Sequence, residues 1–374
     1  MLKVLTVFGT RPETIKMAPL IAELERHPGR IRNRNCLTGQ HKDMVAPLLQ
    51  LFGIRVDHDL ALMRPNQTLE HITVAVLQAV GRILREEEHD LVLVQGDTTT
   101  SMAAALAAFY AGVKVGHVEA GLRTFDKYQP YPEESNRRMI DAVADLFFAH
   151  TGLAKQHLLN EGIREDAVEV TGNTVIDALL DVAARPFDPA GTPLAAVPFD
   201  TRKVILVTAH RRESFGGPFE SLCTGLRDLA RGYRDEAVLV YPVHRNPNVR
   251  GVVERLLAGE PNVMLLDPLD YLPMVHLMKR CHLVLTDSGG LQEEAPSLGK
   301  PVLVMRRTTE RQEGVAAGTV RLVGTEAADI VREASHLLDD PSAWQAMAQR
   351  ANPYGDGTAS VKTVRRILRD VGFA

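Results

Sequence analysis

A repeating rhythm constrains this chain more than any other feature. Short apolar runs recur, each followed by a small or polar loop and then by a helical pattern. Candidate strands are 3–8 (KVLTVF), 91–95 (LVLVQ), 113–118 (VKVGHV), 145–149 (DLFFA), 203–208 (KVILVT), 237–241 (AVLVY), 262–266 (NVMLL), 282–286 (HLVLT) and 301–305 (PVLVM). Helix-like stretches such as 14–27, 67–87, 99–111, 133–144, 217–231, 273–280 and 290–298 lie between them. Runs that are apolar at nearly every position suit a parallel sheet covered on both faces. Strands alternating with helices imply right-handed βαβ units and an α/β fold.

The rhythm breaks once. Residues 185–201 read RPFDPAGTPLAAVPFDT, with four prolines and one glycine, a loop or linker composition. A fresh strand starts at Lys203, so a boundary falls near 170–200 between two halves that each look Rossmann-like. The expected division is 1–170 for the N-terminal domain and 171–357 for the second, with a last helix in 358–374. The length of 374 residues agrees, since about 150 residues per domain gives two to three.

Composition narrows the function classes. Apolar residues make up 45% and rule out disorder as the main state. The net charge of −4 argues against a general nucleic-acid binder, which would carry a basic excess. Cys36, Cys223 and Cys281 form no C-x-x-C pair, against both a disulfide framework and a cysteine zinc site and in keeping with a reducing cytoplasm. His41, His58, His71 and His89 have no metal-like spacing. The apolar run Val4 to Phe8 meets Arg11, Glu13 and Lys16 at once, so no signal peptide fits. The longest uncharged stretch, Thr98 to Val113, is too short to span a membrane. A soluble cytoplasmic protein is expected.

Ligands of open parallel sheets bind beyond the carboxyl ends of the strands. Here those ends are unusually polar: Gly9-Thr10-Arg11-Pro12-Glu13 with Lys16, Gly96-Asp97-Thr98, Glu119-Ala120-Gly121, Ala209-His210-Arg211-Arg212, Pro242-Val243-His244-Arg245, Asp287-Ser288-Gly289-Gly290 with Glu294, and Arg306 to Arg311. No G-x-G-x-x-G stands at the first loop and no Walker A motif occurs. Ser288-Gly289-Gly290 between a strand and a helix suits a diphosphate, with Glu294 placed for ribose hydroxyls. Plainer readings stand beside these. Ser288 to Gly290 could be a tight turn, and Asp97 an N-cap for the helix after it. Glu119 could be half of a structural ion pair, and His210 a surface-loop residue. Glu133 and Glu134 could be ordinary first-turn acids, and Arg211-Arg212 a solvated face. The convergence of carboxylates, a histidine and cations at strand ends favours an active site.

The motifs carry a resemblance. VFGTRPETIKMAPL (7–20), GDTTTSMAAALAAFY (96–110), GHVEAGLRT (116–124), YPEESNRR (131–138), TGNTVIDALL (171–180), HRRESFG (210–216), YPVHRNPNVR (241–250), DSGGLQEEAPSLGKPVLVMR (287–306), TTER (308–311), GTVRLVG (318–324) and NPYGDG (352–357) resemble the non-hydrolysing UDP-N-acetylglucosamine 2-epimerases over nearly the whole chain. The resemblance implies a GT-B-like fold: two Rossmann-like domains with parallel sheets facing across a central cleft, UDP mainly on the second, and the C-terminal helix packed back on the first. It implies interconversion of UDP-N-acetylglucosamine (UDP-GlcNAc) and UDP-N-acetylmannosamine (UDP-ManNAc) by elimination of UDP to 2-acetamidoglucal and re-addition. Neither nicotinamide nor metal is required, and the expected assembly is a homodimer without nucleic acid or membrane.

Roles implied residue by residue are catalytic for Asp97, Glu119, Glu133 and His210. Substrate binding is implied for Arg11, Lys16, Leu269, Met274, Ser288, Gly289, Gly290, Glu294 and Arg311. Some relatives carry Gln at the position of Leu269 and Phe at that of Met274, both beside the uracil. Bacterial relatives are also activated by their own substrate at a second site, matched here by Gln40, Arg211 and His244. Asp43 stands where some have Gln and Asn66 where some have Arg, so weakened or absent activation is expected. Competing readings are a GT-B glycosyltransferase using a UDP-sugar, a hydrolysing 2-epimerase and a silent nucleotide-sugar sensor.

Overall fold

The computed structural model describes residues 1–39, 42–62 and 67–370, with the side chains of 42–44 left aside. Tertiary contacts divide the chain into two units. The first holds the residues up to Ala178 and those from Tyr354 onward; the second is Leu179–Pro353.

Seven strands build the sheet of the first unit: β1 (Leu2–Phe8), β2 (Ile31–Leu37), β3 (His58–Asp59), β4 (Leu91–Gln95), β5 (Lys114–Ala120), β6 (Leu146–Ala149) and β7 (Val168–Val170). Six build the second: β8 (Lys203–Thr208), β9 (Ala237–Pro242), β10 (Val263–Leu266), β11 (Leu283–Thr286), β12 (Val302–Val304) and β13 (Val320–Leu322). Their orders are β3-β2-β1-β4-β5-β6-β7 and β10-β9-β8-β11-β12-β13, and every pairing is parallel. Each unit is therefore a Rossmann-like α/β domain, as the strand–helix rhythm predicts.

The helices of the first unit are α1 (Arg11–Glu25), α2 (Lys42–Phe52), α3 (Leu69–Glu86), α4 (Thr99–Tyr110), α5 (Glu133–Val143) and α6 (Gly152–Asn160), and α7 (Thr174–Ala184) starts in it and runs past the division at Ala178. Those of the second are α8 (Gly217–Gly232), α9 (Pro247–Leu257), α10 (Tyr271–Arg280), α11 (Gly289–Glu294), α12 (Gln312–Ala317), α13 (Ala327–Asp339) and α14 (Pro341–Ala348), and α15 (Ala359–Asp370) is the last described element. Residues 185–202 contain neither strand nor α-helix. No helix among the described residues is long and apolar enough to cross a membrane.

The alternation of side chains along β1 explains why both faces of its sheet must be covered. Val4 and Phe8 pack with Met17, Leu20 and Leu24 of α1 and with Val364, Ile367 and Leu368 of α15. Leu5 and Val7 face the opposite way, onto Val76 and Val80 of α3 and Ala103 to Ala105 of α4. Helix α15 thus belongs to the first unit. Its three core side chains recur at the i, i+3, i+4 spacing, and each contributes about 1.5–3 kcal/mol by burial. Asp177 of α7 caps it, accepting from Ala359 N at 3.2 Å and Ser360 N at 2.8 Å. In the second unit, Ile205, Val207 and Leu239 pack against Phe219, Leu222 and Leu226 of α8 and Ile330 and Leu337 of α13. Cys36, Cys223 and Cys281 are free and buried, and burial pushes all three thiols up to about 12.

Four strands depart from the reading of the sequence. β2 is not an apolar run: Arg32, Asn33, Arg34 and Asn35 stand in its middle, and Asn35 is buried. Its side chain accepts from Thr6 Oγ1 at 2.6 Å and donates to Arg55 O at 2.8 Å. β3, β7 and β13 have only two or three residues, too few for a period to show. Helix α1 begins at Arg11, earlier than 14, because Thr10 and Glu13 form a capping box around Pro12.

Candidate functional site

Each sheet reverses its strand order once, between β1 and β4 in the first unit and between β8 and β11 in the second. Such a reversal opens a crevice beyond the carboxyl ends of the strands. Arg11, Asp97, His210 and Ser288 to Gly290, all singled out from the sequence, follow those strands directly.

In the first unit β1 runs into Gly9. A Cβ there would stand 2.1 Å from Thr38 Oγ1, so only glycine lets the loop pass. Glu13 then closes the loop. One of its oxygens accepts from Gly9 N at 3.0 Å and Thr10 N at 2.7 Å. The other accepts from Thr98 Oγ1 at 2.6 Å and Ser101 Oγ at 2.8 Å. This buried carboxylate ties the loop after β1 to the loop after β4. Arg11 begins α1, and Lys16 follows on the same helix.

Glu119 lies near the end of β5 with φ of +67°. The pairing with β6 slips at that point, between Val118 and Ala120. A left-handed glutamate costs of order 1–3 kcal/mol, and surrounding contacts must hold it there. They do: Lys16 Nζ reaches its two oxygens at 2.7 and 2.6 Å, Asn173 Nδ2 donates at 3.1 Å, and Gln95 Nε2 donates as well. The ion-pair reading of Glu119 is thus realised, with Lys16 as its partner.

Asp97 is not the N-cap of α4. Thr98 takes that place, its Oγ1 accepting from Ser101 N at 3.0 Å. Instead Asp97 Oδ2 accepts from Arg137 Nη2 at 2.6 Å, and the Asp97 carbonyl accepts from Asn136 Nδ2 at 2.9 Å. Gly96, with φ of +68°, makes the turn, and a Cβ on it would lie 3.6 Å from a Glu119 oxygen. Glu133 opens α5, and its Oε2 is buried with no hydrogen-bond partner among the described residues. Its neighbour Glu134 is wholly buried and structural, accepting from Thr124 N at 3.0 Å, Phe125 N at 3.2 Å and Arg137 Nη1 at 3.1 Å.

The second unit gathers cations and a histidine. Asp287, fully buried at the end of β11, accepts from His210 N at 2.6 Å and Arg211 N at 2.7 Å and so fixes the loop after β8. The His210 ring stacks on that of His244, with centroids 5.2 Å apart and planes 9° from parallel. Burial, assisted by the charge of Arg211 and by His244, holds His210 below the ordinary imidazole value against the pull of Asp287. Arg311 donates to Glu293 at 2.9 Å and Glu310 at 2.8 Å. A Cβ on Gly289 would stand 3.0 Å from Arg311 Cζ, and one on Gly290 3.2 Å from Glu294 Oε1. These two glycines therefore let Arg311 and Glu294 come against the chain at the start of α11. Ser288 N donates to Thr286 Oγ1 at 2.9 Å. Leu269 is buried just ahead of α10, and Met274 is half-buried on that helix. Gln40 and Asn66 lie outside the described residues, as does the side chain of Asp43. Among the described residues, no group of three or more His, Cys, Asp or Glu side chains is placed to hold a metal ion.

The first unit thus offers three carboxylates in three different settings, suited to proton transfer. The second offers anion-binding groups beside a largely neutral imidazole. A family model described as UDP-N-acetylglucosamine 2-epimerase matches residues 22–368. The chain belongs to the UDP-N-acetylglucosamine 2-epimerase family. The Escherichia coli K12 protein of that name is 53% identical over 363 residues, which is 96% of each chain. The crystal structure of the Neisseria meningitidis epimerase bound to UDP-GlcNAc superposes with a TM-score of 0.90 at 48% identity, covering 98% of this chain and 100% of that one. The Methanocaldococcus jannaschii epimerase, in complex with UDP-GlcNAc and UDP, gives a TM-score of 0.79 at 31% identity, covering 99% and 100%. A kitacinnamycin glycotransferase at 14% identity and a TM-score of 0.64 shares the fold alone.

Sequence reasoning missed the residues that hold the epimerase carboxylates in place: Gln95 and Asn173 on Glu119, and Asn136 and Arg137 on Asp97. It also passed over Asp287 as the anchor of His210. Glu133, Asn136, Arg137 and Asp141 recur at helical spacing. That polar stripe reads as a solvated face, yet Asn136, Arg137 and Asp141 are buried.

Proposed function

We propose that this epimerase-family chain is a non-hydrolysing UDP-GlcNAc 2-epimerase, interconverting UDP-GlcNAc and UDP-ManNAc. The C2 proton of the sugar has no adjacent carbonyl to acidify it, so inversion by simple deprotonation is implausible. Removal of that proton as UDP leaves C1 gives 2-acetamidoglucal. Protonation of the opposite face of C2 and return of UDP to C1 complete the inversion. The route needs acid/base groups for two faces of one ring and a site that retains UDP between the steps.

The observation that carries the reading is the set of three carboxylates of the first unit, Asp97 and Glu119 at strand ends and Glu133 at the start of α5. Glu119 is paired with Lys16, Asp97 with Arg137, and Glu133 keeps a buried oxygen without a hydrogen-bond partner among the described residues. Such an orphaned oxygen is costly and calls for a functional explanation. A proton carried to or from substrate is one. Arg11 and Lys16 are assigned to the departing diphosphate and its neighbours. Ser288 to Gly290, Glu294, Arg311 and His210 are assigned to UDP, with Leu269 and Met274 beside the base. A UDP-sugar transferase would use a similar nucleotide site but would leave the carboxylate set unexplained.

The test is product analysis with UDP-GlcNAc alone, with no acceptor, metal or NAD added. UDP-ManNAc is expected. Free N-acetylmannosamine with stoichiometric UDP would move the chain to the hydrolysing class, and an unchanged substrate would favour a transferase or sensor. Substrate activation is expected to be weak, because positions 43 and 66 carry Asp and Asn. A strongly sigmoidal rate curve abolished by His244→Ala would contradict that.

A further inference from the structure

His117 lies on β5, two residues before Glu119, and is wholly buried. Its Nε2 stands 2.7 Å from the Gly96 carbonyl oxygen and its Nδ1 2.6 Å from Asp141 Oδ1. The Gly96 carbonyl can only accept, so Nε2–H donates to it, and Nδ1 pairs with the Asp141 carboxylate. Burial pushes the Asp141 carboxyl up, but His117 and Arg123 outweigh that and hold it below the usual carboxylate range. Arg123 Nη2 donates to Asp141 at 2.6 Å and, with Nε, also pairs Glu161 at 2.7 and 2.9 Å.

This charged chain ends on one backbone atom, the carbonyl of Gly96. That carbonyl belongs to the peptide that leads into Asp97. Gly96 is held at φ of +68°, and its N–H donates to Val118 O at 2.9 Å. The donation from a ring that is itself clamped by Asp141 fixes the plane of this peptide. Helix α5 supplies the rest of the hold. Asn136 takes the Asp97 carbonyl and Arg137 its carboxylate, while Asp141 works through His117. Together with Glu133 these residues occupy positions i, i+3, i+4 and i+8, one face of the helix.

We propose that His117, clamped by Asp141, is a positioning residue: it fixes the Gly96–Asp97 peptide and so registers Asp97 against Glu133 on α5 and Glu119 on β5. The inference rests on the reading of Asp97 as a catalytic carboxylate. His117 is assigned no contact with substrate.

Two amide variants separate its two hydrogen bonds. His117→Gln puts an N–H where Nε2 stands and keeps the bond to Gly96. His117→Asn puts one where Nδ1 stands, keeps the bond to Asp141 and leaves the Gly96 carbonyl without its donor. Displacement of a reacting group by about 1 Å costs on the order of 100-fold. His117→Asn is therefore expected to lose about 100-fold in kcat, with KM for UDP-GlcNAc and UDP affinity changed by less than about threefold. His117→Gln is expected to recover most of that loss at an equal melting temperature. Equal kcat for the two variants, or losses that follow melting temperature alone, would overturn the positioning role. If His117→Asn does not fold, Asp141→Asn carries the test. Loss of kcat with UDP affinity kept supports the role, and unchanged kcat overturns it. Asp97→Asn, measured alongside, separates the two levels. Normal turnover in Asp97→Asn removes the catalytic reading and this inference with it. An inactive Asp97→Asn beside a fully active His117→Asn removes only the inference.

Discussion

The ammonium of Lys16 sits 2.7 and 2.6 Å from the two carboxylate oxygens of Glu119, joining the first helix to the fifth strand across 103 positions of sequence. Both side chains are largely buried, at 16% and 7% exposure. Breaking a buried pair by removing one partner costs about 3–5 kcal/mol. Gln95 and Asn173 still hold the carboxylate, so the lower end applies. Lys16→Met is expected to lose about 3 kcal/mol in urea unfolding and on the order of 100-fold in kcat. Wild-type stability together with wild-type turnover would show that the pair serves neither purpose.

Glu133 gives the opposite expectation for stability. Its Oε2 is buried with no hydrogen-bond partner among the described residues, and an unsatisfied buried acceptor weakens the folded state. Glu133→Gln removes the charge at nearly constant shape. The variant is expected to melt at or above the wild-type temperature while losing about 100- to 10,000-fold in kcat, the range for a general acid or base. A melting temperature several degrees lower would mean that Glu133 is structurally engaged after all.

Gly289 tests the proposed nucleotide site. An added Cβ would meet Arg311 Cζ at 3.0 Å, and Arg311 cannot swing away cheaply because Glu293 and Glu310 hold it. Gly289→Ala is expected to weaken UDP binding about tenfold in calorimetry, a loss of about 1.4 kcal/mol. Unchanged affinity would place UDP elsewhere.

Much of this architecture is legible in the sequence alone. β4 and β8 fall at 91–95 and 203–208 because an unbroken apolar run of that length, bounded by polar loops, has few other solutions. The site loops were legible for a related reason, since they follow those strands directly. What stayed hidden were the partners. Lys16 meets Glu119, Asn173 meets Glu119 and Arg137 meets Asp97 over separations of 103, 54 and 40 residues, and no local pattern records such contacts. β2 was hidden because Asn35 satisfies its amide inside the fold rather than in water.

Acid should weaken the fold in two stages. Burial holds His282, stacked on Trp344, down to about 4, and His89, His210 and His276 are lowered in the same direction. The unfolded chain binds these protons more readily, so their contribution is lost in acid; for His282 it is present above about pH 6.5 and is lost as pH falls toward 4. For Glu310 burial works upward, but Arg311, Arg306 and Arg211 prevail and hold it down to about 2. Its contribution is present above about pH 4.5 and is lost as pH falls toward 2. Melting temperature against pH is expected to drop in both windows. His282→Gln should flatten the upper stage and Glu310→Gln the lower. A curve unaffected by either change would contradict the assignment.

The central claim is that a proton leaves and returns to C2 of the sugar while UDP is detached. Incubation with UDP-GlcNAc in deuterium oxide, followed by proton NMR, tests it directly. The account predicts UDP-ManNAc carrying deuterium at C2, with the label entering both epimers as equilibrium is reached. UDP-ManNAc formed with C2 still fully protonated would contradict an acid/base route through the solvent-exchanging carboxylates of Asp97, Glu119 and Glu133.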